Sequence, residues 1–504
     1  MKFTNRACTV FVMLALAGGW AACAPKKAST IPVPTTTSNS IDRLRDSLGR
    51  LFADPNFASA QWGVEVLSLD RGDVLFEHNS TMLYMPASNN KILTASAALI
   101  RLGPDFRYET RISADGGAAD GVLKGDLFIR GSGDPTTAPR FHEGDPFRVF
   151  KEWASRLKEK GINRIEGRLV GDGRAFPPPL LGQGWEWDDL AYGYAAPVSA
   201  LQFNENLCTI EVFPGDAPGA AATVKCSPVP DYFTIDAKVT TVAAGTRSRV
   251  EIRRGDHREF ITVRGTIPVK ADPDRTTLAV EMPSLYYITA LRFSLRGEDI
   301  DVSNLTLHVL DDPEDATPVP GQPLWIHYSP PLSEILKPFL KVSQNLYAET
   351  LTRTLGLVLR NQGTFDAGRE IVQAALEGMA IQKGTYAYVD ASGLSRQNLV
   401  SADMLIRIFR YMSRQKSFSV FYDALPIAGV DGTIRNRLKG TKAENNVHAK
   451  TGTIANVRCI SGYLKTVDGE MLAFAMIANN FLASNQAVEY VQDSALEYLA
   501  NFRR

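Results

Sequence analysis

Val447-His448-Ala449-Lys450-Thr451-Gly452-Thr453 reads as a strand carrying a Lys-Thr-Gly tripeptide. It decides the fold when set beside two earlier segments, Ser88-Asn89-Asn90-Lys91 and Ser343-Gln344-Asn345. The order SxxK, SxN, KTG is the pattern of a serine acyl-transfer site in which lysine, not histidine, moves the proton. Each piece alone is weak. SxxK arises by chance in a chain with this much Ser and Lys, and Ser413-Arg414-Gln415-Lys416 is a second instance, read as a solvated helix face. A lone SxN is more often a helix cap, and a lone KTG a surface strand.

Outward from the tripeptide, Cys459 to Lys465 and Met471 to Asn479 read as two more strands, joined at Asp468-Gly469. The tail from Asn485 to Phe502 repeats apolar residues at helical spacing (Val488, Val491, Leu496, Leu499) and is expected to pack on that sheet. At the other end of the chain a helix at about 40 to 53 precedes Trp62 to Leu67 and Val74 to Glu77. These last two alternate around the turn Asp70-Arg71-Gly72-Asp73, a hairpin signal. Ile92 to Ile100 is apolar on nearly every side, as in a helix buried all round. Ser88 then sits at its start, with Lys91 one turn on and on the same face. The expectation is a mixed α/β (α+β) fold: one antiparallel five-stranded sheet with helices on its faces, closed from both chain ends.

Between about 105 and 320 strand-like pieces dominate: Gly125 to Gly131, Arg164 to Gly171, Leu207 to Phe213, Arg247 to Arg254 and Phe260 to Thr266. Helical patterns at about 145 to 160 and from Leu285 to Leu295 interrupt them, and Pro313, Pro318, Pro320 and Pro323 mark the far boundary. A chain of 504 residues exceeds one hydrophobic core, so this stretch reads as an insertion into the first domain. A formal net charge of zero gives no reason to expect nucleic acid or an anionic membrane surface as partner.

Lys2 and Arg6 precede an apolar run, Cys8 to Ala17, too short to span a bilayer, and small residues follow up to Ala21-Ala22-Cys23-Ala24. This resembles a bacterial lipoprotein signal with Cys23 as the lipidated first residue, although Trp20 stands where an aliphatic residue is usual. Ordinary cleavage at Gly19-Trp20-Ala21 or Ala22-Cys23-Ala24 is the alternative; either way the mature protein is exported. Residues 24 to 40, rich in Pro, Ser and Thr, read as a tether. Cys208 and Cys226 flank two strand-like segments, and a disulfide and two free thiols both remain open. Cys459 reads as core. His142-Glu143 lacks the second histidine of a zinc-protease helix, and no metal or cofactor is expected.

The chemistry assigns roles. Ser88 is the expected nucleophile and Lys91 its base, which requires an amine neutral for part of the cycle; burial and the nearby charge of Lys450 would lower its pKa. Ser343 would relay a proton to the departing amine, Asn345 would hold the substrate amide, and Lys450 with Thr451 would attract a substrate carboxylate. Gly452 would let the substrate lie close along the strand. The amides of Ser88 and Thr453 would form the oxyanion hole.

The flanks carry a family resemblance. Met85-Pro86-Ala87-Ser88-Asn89-Asn90-Lys91, Gly125-Asp126-Leu127 with Gly131-Ser132-Gly133-Asp134-Pro135, and Gly184-Trp185-Glu186-Trp187-Asp188-Asp189 are similar to segments of class C penicillin-binding proteins, the D-alanyl-D-alanine carboxypeptidase/endopeptidase family. So are Pro197 to Leu201 with Asn204-Glu205-Asn206, Ser329-Pro330-Pro331-Leu332, Ser343 to Glu349, Asp390 to Arg396, and Gly429 to Ile434. The resemblance spans about residues 40 to 500. It implies a β-lactamase/transpeptidase-like domain at 41-105 and 320-504, an inserted domain at 106-204 and 284-319, and a third domain nested at 205-283, after a signal at 1-23. It implies cleavage of D-Ala-D-Ala in peptidoglycan stem peptides and of their cross-bridges in the periplasm, with β-lactams acylating Ser88. The family's pocket for the diamino-acid side chain maps onto Asp189, Tyr194, Leu394 and Arg396, although Asp189 and Arg396 serving only local turns or a salt bridge is the competing reading. Phe339-Leu340-Lys341-Val342 and Gln344 depart from the usual neighbours of the SxN box. A β-lactamase or esterase on the same fold is the runner-up, weakened by the lack of a Glu-x-x-Leu-Asn segment between SxN and KTG. A non-catalytic wall-binding protein is the third reading.

Overall fold

The sheet that carries the Lys-Thr-Gly strand has five strands, in the spatial order His448–Ile454, Val457–Lys465, Met471–Asn479, Gln61–Ser68, Val74–His78. Every neighbouring pair is antiparallel, as expected from the two ends of the sequence. The computed structural model describes residues 39–254 and 260–504; the signal at 1–23, Cys23 and all but the end of the tether lie outside the described residues. No helix among the described residues is long and apolar enough to cross a membrane.

The sheet is central because its strands are apolar on both faces. Along Met471–Asn479, Leu472, Phe474, Met476 and Ala478 face one core together with Leu44, Leu48, Val488, Leu496 and Leu499, from the helices Ser40–Phe52 and Asn485–Asn501. Ala473, Ala475 and Ile477 face the other core, which holds the helix Lys91–Arg101 and the helices between Leu332 and Ala424. The period of two in a strand places alternate residues on opposite faces. Residues 91 to 99 are all buried, as an apolar helix between other helices and a sheet must be.

The inserted region builds its own sheets. One has the order Thr306–Leu310, Arg168–Asp172, Leu127–Arg130, Glu109–Ala114, Trp325–Tyr328. Two three-stranded sheets fall within 207 to 279: Thr223–Ser227, Leu207–Phe213, Asp274–Ala279, and Thr234–Val242, Phe260–Pro268, Arg249–Arg254. The helices Arg148–Glu159 and Pro283–Gly297 share a core with these sheets. The single strand expected over Arg164 to Gly171 is two strands, Arg164–Glu166 and Arg168–Asp172. The first pairs with Val122–Lys124 and the second with Leu127–Arg130, so the chain changes sheets at Gly167. Trp325–Tyr328 pairs with Glu109–Ala114, which carries the inserted sheet past the proline-marked boundary. Cys208 and Cys226 are buried, unbridged thiols, and Cys208 Sγ donates to the Ser227 carbonyl at 3.3 Å.

The insert is fastened to the helix Asn345–Arg360. Tyr347 Oη donates to Glu205 Oε1 at 3.0 Å, and Glu205 accepts from Arg140 Nε at 2.8 Å. Gln202 Nε2 donates to Thr350 Oγ1 at 2.8 Å, and this bond is buried. This helix begins with Asn345, so the insert bears directly on the site.

If the two-faced sheet holds the chain together, Phe474→Ala should lower the unfolding free energy by about 3–5 kcal/mol in urea titrations. Tyr490→Ala, on the exposed face of the last helix, should change it by less than about 0.5 kcal/mol.

Candidate active site

The chain turns sharply into the Lys91–Arg101 helix through a single 3-10 turn, Ala87–Asn90. Ala87 has φ +44°, in the left-handed region that side chains avoid, at a cost of about 1–3 kcal/mol for a residue other than glycine. The turn projects Ser88 at the helix start with Lys91 on the same face. Lys91 Nζ lies 2.9 Å from Ser88 Oγ, 2.6 Å from Asn345 Oδ1 and 2.6 Å from the Ser392 carbonyl oxygen. Three acceptors match the three protons of an ammonium. If the proton directed at Ser88 leaves, two donors still bind Asn345 and Ser392, and a lone pair is aimed at Ser88 Oγ.

Lys91 is fully buried, and burial lowers its pKa to about 7, against an upward pull from Asp390 and Glu349. Burial first, then repulsion from Lys91, holds the Lys450 amine well below the usual lysine value. Lys450 Nζ donates to Ser343 Oγ at 2.8 Å and to its neighbour's carbonyl, Thr451 O, at 2.6 Å. Ser343 has φ +63°, a second strained residue beside the reacting groups, and Gln344 caps the helix by accepting from the Leu346 amide at 3.2 Å. The spacing SxN therefore places a hydroxyl on a tight bend and an amide at the first position of a helix.

Gly452 lets its strand approach closely. A Cβ there would stand 2.6 Å from the Pro86 carbonyl oxygen and 3.0 Å from the Ser88 nitrogen, so the missing side chain lets the strand close on the serine turn itself. Thr451 Oγ1 donates to Thr433 Oγ1 at 2.7 Å, which ties the tripeptide to the Gly429 to Ile434 loop. Lys341, in the segment that departs from the family pattern, holds the same loop through Asp431 at 2.6 Å.

Opposite the sheet, the loop from Asp390 to Arg396 presses on the serine turn. Gly393 (φ +84°) sits where a Cβ would overlap the Ala87 carbonyl oxygen. Asp390 organises this loop by accepting from the Gly393 and Ser395 amides at 2.8 and 2.9 Å and from Trp185 Nε1 at 2.7 Å. Glu349 accepts from the amides of Ala391 and Ser392 at 3.0 and 2.9 Å. Burial, with Asp390 nearby, raises its pKa to about 8.

A cavity of about 420 Å³ opens over this assembly. Its lining includes Ser88, Ser343, Asn345 and Thr453, and also Asp189, Tyr194, Leu394 and Arg396. Lys91 and Lys450 are wholly buried. Tyr194 contributes its carbonyl as acceptor for Asn345 Nδ2 at 2.8 Å, and its hydroxyl donates to Asp189 Oδ1 at 2.7 Å. Arg396 makes a salt bridge, Nε to Glu186 Oε1 at 2.9 Å, and donates to the Ala455 carbonyl at 3.2 Å. Sequence reasoning missed Glu186, Ser392, Asp390 and Glu349 as parts of the site. All four lay inside quoted flanks, but nothing in a sequence says that a backbone carbonyl such as Ser392 O will face a lysine. The second SxxK, at Ser413, follows the helix Ala402–Met412 and does not line the cavity.

A serine and a buried lysine at hydrogen-bond distance, beside a second lysine–serine pair at the edge of an antiparallel sheet, define the class: active-serine acyl-transfer enzymes with a lysine base. The chain belongs to the D-Ala-D-Ala carboxypeptidase 3 (S13) family, whose profile matches residues 44–502. It is 32% identical to a D-alanyl-D-alanine carboxypeptidase of Actinomadura sp. (strain R39), over 92% of this chain and 85% of that one. A crystal structure of penicillin binding protein 4 (dacB) from Haemophilus influenzae superposes with a TM-score of 0.77 at 26% identity, covering 91% of this chain and 99% of that one. A second structure of that protein, complexed with a novel β-lactam, gives 0.71 at 25% identity, covering 92% and 99%. The chain is thus a penicillin-binding serine peptidase with the expected α+β fold.

Two outcomes follow from the geometry. The rate of acylation by a β-lactam should rise with pH through a midpoint near 7, because the base must be neutral and Lys91 loses its proton there; stopped-flow fluorescence across pH 5–9 reads it. Gly452→Ala should slow that acylation by about tenfold or more by pushing the strand off the Ser88 turn, and should lower the unfolding free energy by about 1–3 kcal/mol.

Proposed function

We propose that Ser88 is the nucleophile with which this chain cleaves the D-Ala-D-Ala bond of peptidoglycan stem peptides and the D-alanyl bond of their cross-bridges. The observation that carries the assignment is the Lys91 amine held at 2.9 Å from Ser88 Oγ by two further acceptors. Ser88 Oγ attacks the penultimate D-Ala carbonyl while its proton passes to neutral Lys91. The amides of Ser88 and Thr453 receive the oxyanion, a role supported by how closely Gly452 brings strand and turn together. The C–N bond then breaks, and the departing amine takes a proton through Ser343, which is in contact with Lys450. Water hydrolyses the resulting ester and regenerates Ser88.

Lys450 and Thr451 attract the terminal carboxylate of a carboxypeptidase substrate. A carboxylate arriving beside Lys450 favours its charged form, so binding itself restores the cation that burial disfavours. Asn345 orients the substrate amide, and Asp189 and Arg396, with Tyr194 and Leu394, receive the side chain of the diamino acid. β-Lactams enter as mimics of D-Ala-D-Ala and leave a stable ester on Ser88. The nested division into 41-105 with 320-504, 106-204 with 284-319, and 205-283 belongs to the same reading. So do export to the periplasm and attachment through Cys23, for which the charged, then apolar, then small-residue N-terminus is the support.

Digestion of purified cross-linked muropeptides, followed by mass spectrometry, tests the substrate. The expected result is free D-Ala from pentapeptides and conversion of dimers to monomers. Both should fall by at least about a hundredfold in Ser88→Ala and in Lys91→Arg, whose guanidinium stays charged and cannot accept the proton. No product from either substrate by protein that still takes up penicillin would end this assignment.

A further inference from the structure

We infer that the chain carries a second ligand site, away from Ser88, for a short zwitterionic peptide about two residues long with small apolar side chains. The site is a cavity of about 590 Å³ between the hairpin Gln61–Ser68 with Val74–His78, the helix Ala402–Met412 and the turn at Gly378 to Ala380. It shares no lining residue with the cleft around Ser88. One end of it is acidic. Trp62, Val64 and Val66 enter one core, which leaves Glu65 on the opposite face of its strand, toward the helix. Glu65 is only 5% exposed, yet among the described residues its carboxyl accepts no hydrogen bond and makes no salt bridge. A buried polar group without a partner is costly and rare. Burial, then Asp403 and Glu77, raises its pKa to about 7, against the pull of Arg407. Arg407 is itself held by Asp403 at 2.7 Å. Three carboxyl groups against one guanidinium favour a cation here, and an arriving ammonium restores the charge that burial disfavours.

The other end is basic. Arg410 and Arg414 line it, and neither guanidinium has an acceptor among the described residues. Arg410 Nη2 reaches the hairpin turn, 3.9 Å from where a Cβ on Gly72 would stand. Two guanidiniums outweigh the partial negative charge of the helix end beside them, so a carboxylate belongs here. From Arg407, beside Glu65, the helical path to Arg410 and Arg414 advances about 5 to 10 Å. An extended dipeptide spans about 7 Å, whereas a single amino acid carries both charges on one carbon and cannot reach both ends. Between the two ends Leu67, Val74, Met379 and Ile406 supply apolar walls, which suit small apolar side chains.

Calorimetric titration of the full-length protein, its active serine already acylated by a penicillin so that the cleft is filled, tests this. The probes are D-alanyl-D-alanine, its N-acetyl derivative and its C-terminal amide. The expected result is saturable binding of the zwitterion, with each derivative at least about tenfold weaker because it lacks one charge-assisted hydrogen bond. Glu65→Gln should weaken the zwitterion about tenfold and bind it no better than the acetylated peptide. Arg410→Gln combined with Arg414→Gln should erase the difference between zwitterion and amide in the same way. Both variants should still take up penicillin at the unaltered rate, which shows that they fold. The comparison of the three probes on the unaltered protein needs no substitution and decides the matter if a variant does not fold. Either derivative bound as tightly as the zwitterion, binding unmoved by both variants, or no binding at about 10 mM overturns the inference and leaves the peptidase reading intact.

Discussion

The amine of Lys91 is the constraint around which the site is built. It has no exposure to water, so each of its protons needs a protein acceptor, and each acceptor comes from a different part of the chain. Ser88 comes from the entry to its own helix, Asn345 from the first position of another, and Ser392 from a loop more than three hundred residues away in sequence. An unpaired buried ammonium would be far costlier than any one of these bonds. Meeting that demand ties together three segments that also share one hydrophobic core, and it leaves the amine one proton away from serving as a base.

Local strain and support elsewhere follow from the same demand. Ala87 and Ser343 both adopt left-handed conformations next to the reacting groups. Such conformations persist only where the surroundings over-determine them. Here the surroundings are the Gly393 loop pressed on Ala87, and the Lys450 amine bound to Ser343. The loop is held by two buried carboxyl groups, those of Glu349 and Asp390, and Trp185 from the inserted region reaches across to Asp390. The insert is therefore part of the cleft: it supplies Glu186, Asp189 and Tyr194 to the wall facing the sheet.

Much of this was legible in the sequence where burial imposes a period. Leu207–Phe213 alternates buried and half-buried residues along its whole length, and its ends were read correctly. The five-stranded sheet was legible from its two chain ends because turn residues such as Asp70 to Asp73 and Asp468-Gly469 set off its strand-like runs. Thr234–Val242 was missed because its burial does not alternate cleanly, and its parallel partner supplies pattern only in three dimensions. Glu109–Ala114 and Trp325–Tyr328 were missed because they find each other across the insertion. Within the site, the residue types of the three motifs announced a serine, two lysines and an asparagine. The Ser392 carbonyl and the Glu186–Arg396 pair depend on backbone placement and on a contact between distant loops, which no local pattern encodes.

The chemistry of the cleft depends on Ser88 being the group that Lys91 activates. Intact-mass measurement after brief exposure to a penicillin, followed by peptide mapping, tests that directly. A single adduct of the antibiotic's mass on the peptide containing Ser88, absent in Ser88→Ala and strongly reduced in Lys91→Arg, is the predicted result. An adduct on any other residue, or none on folded protein, would contradict it.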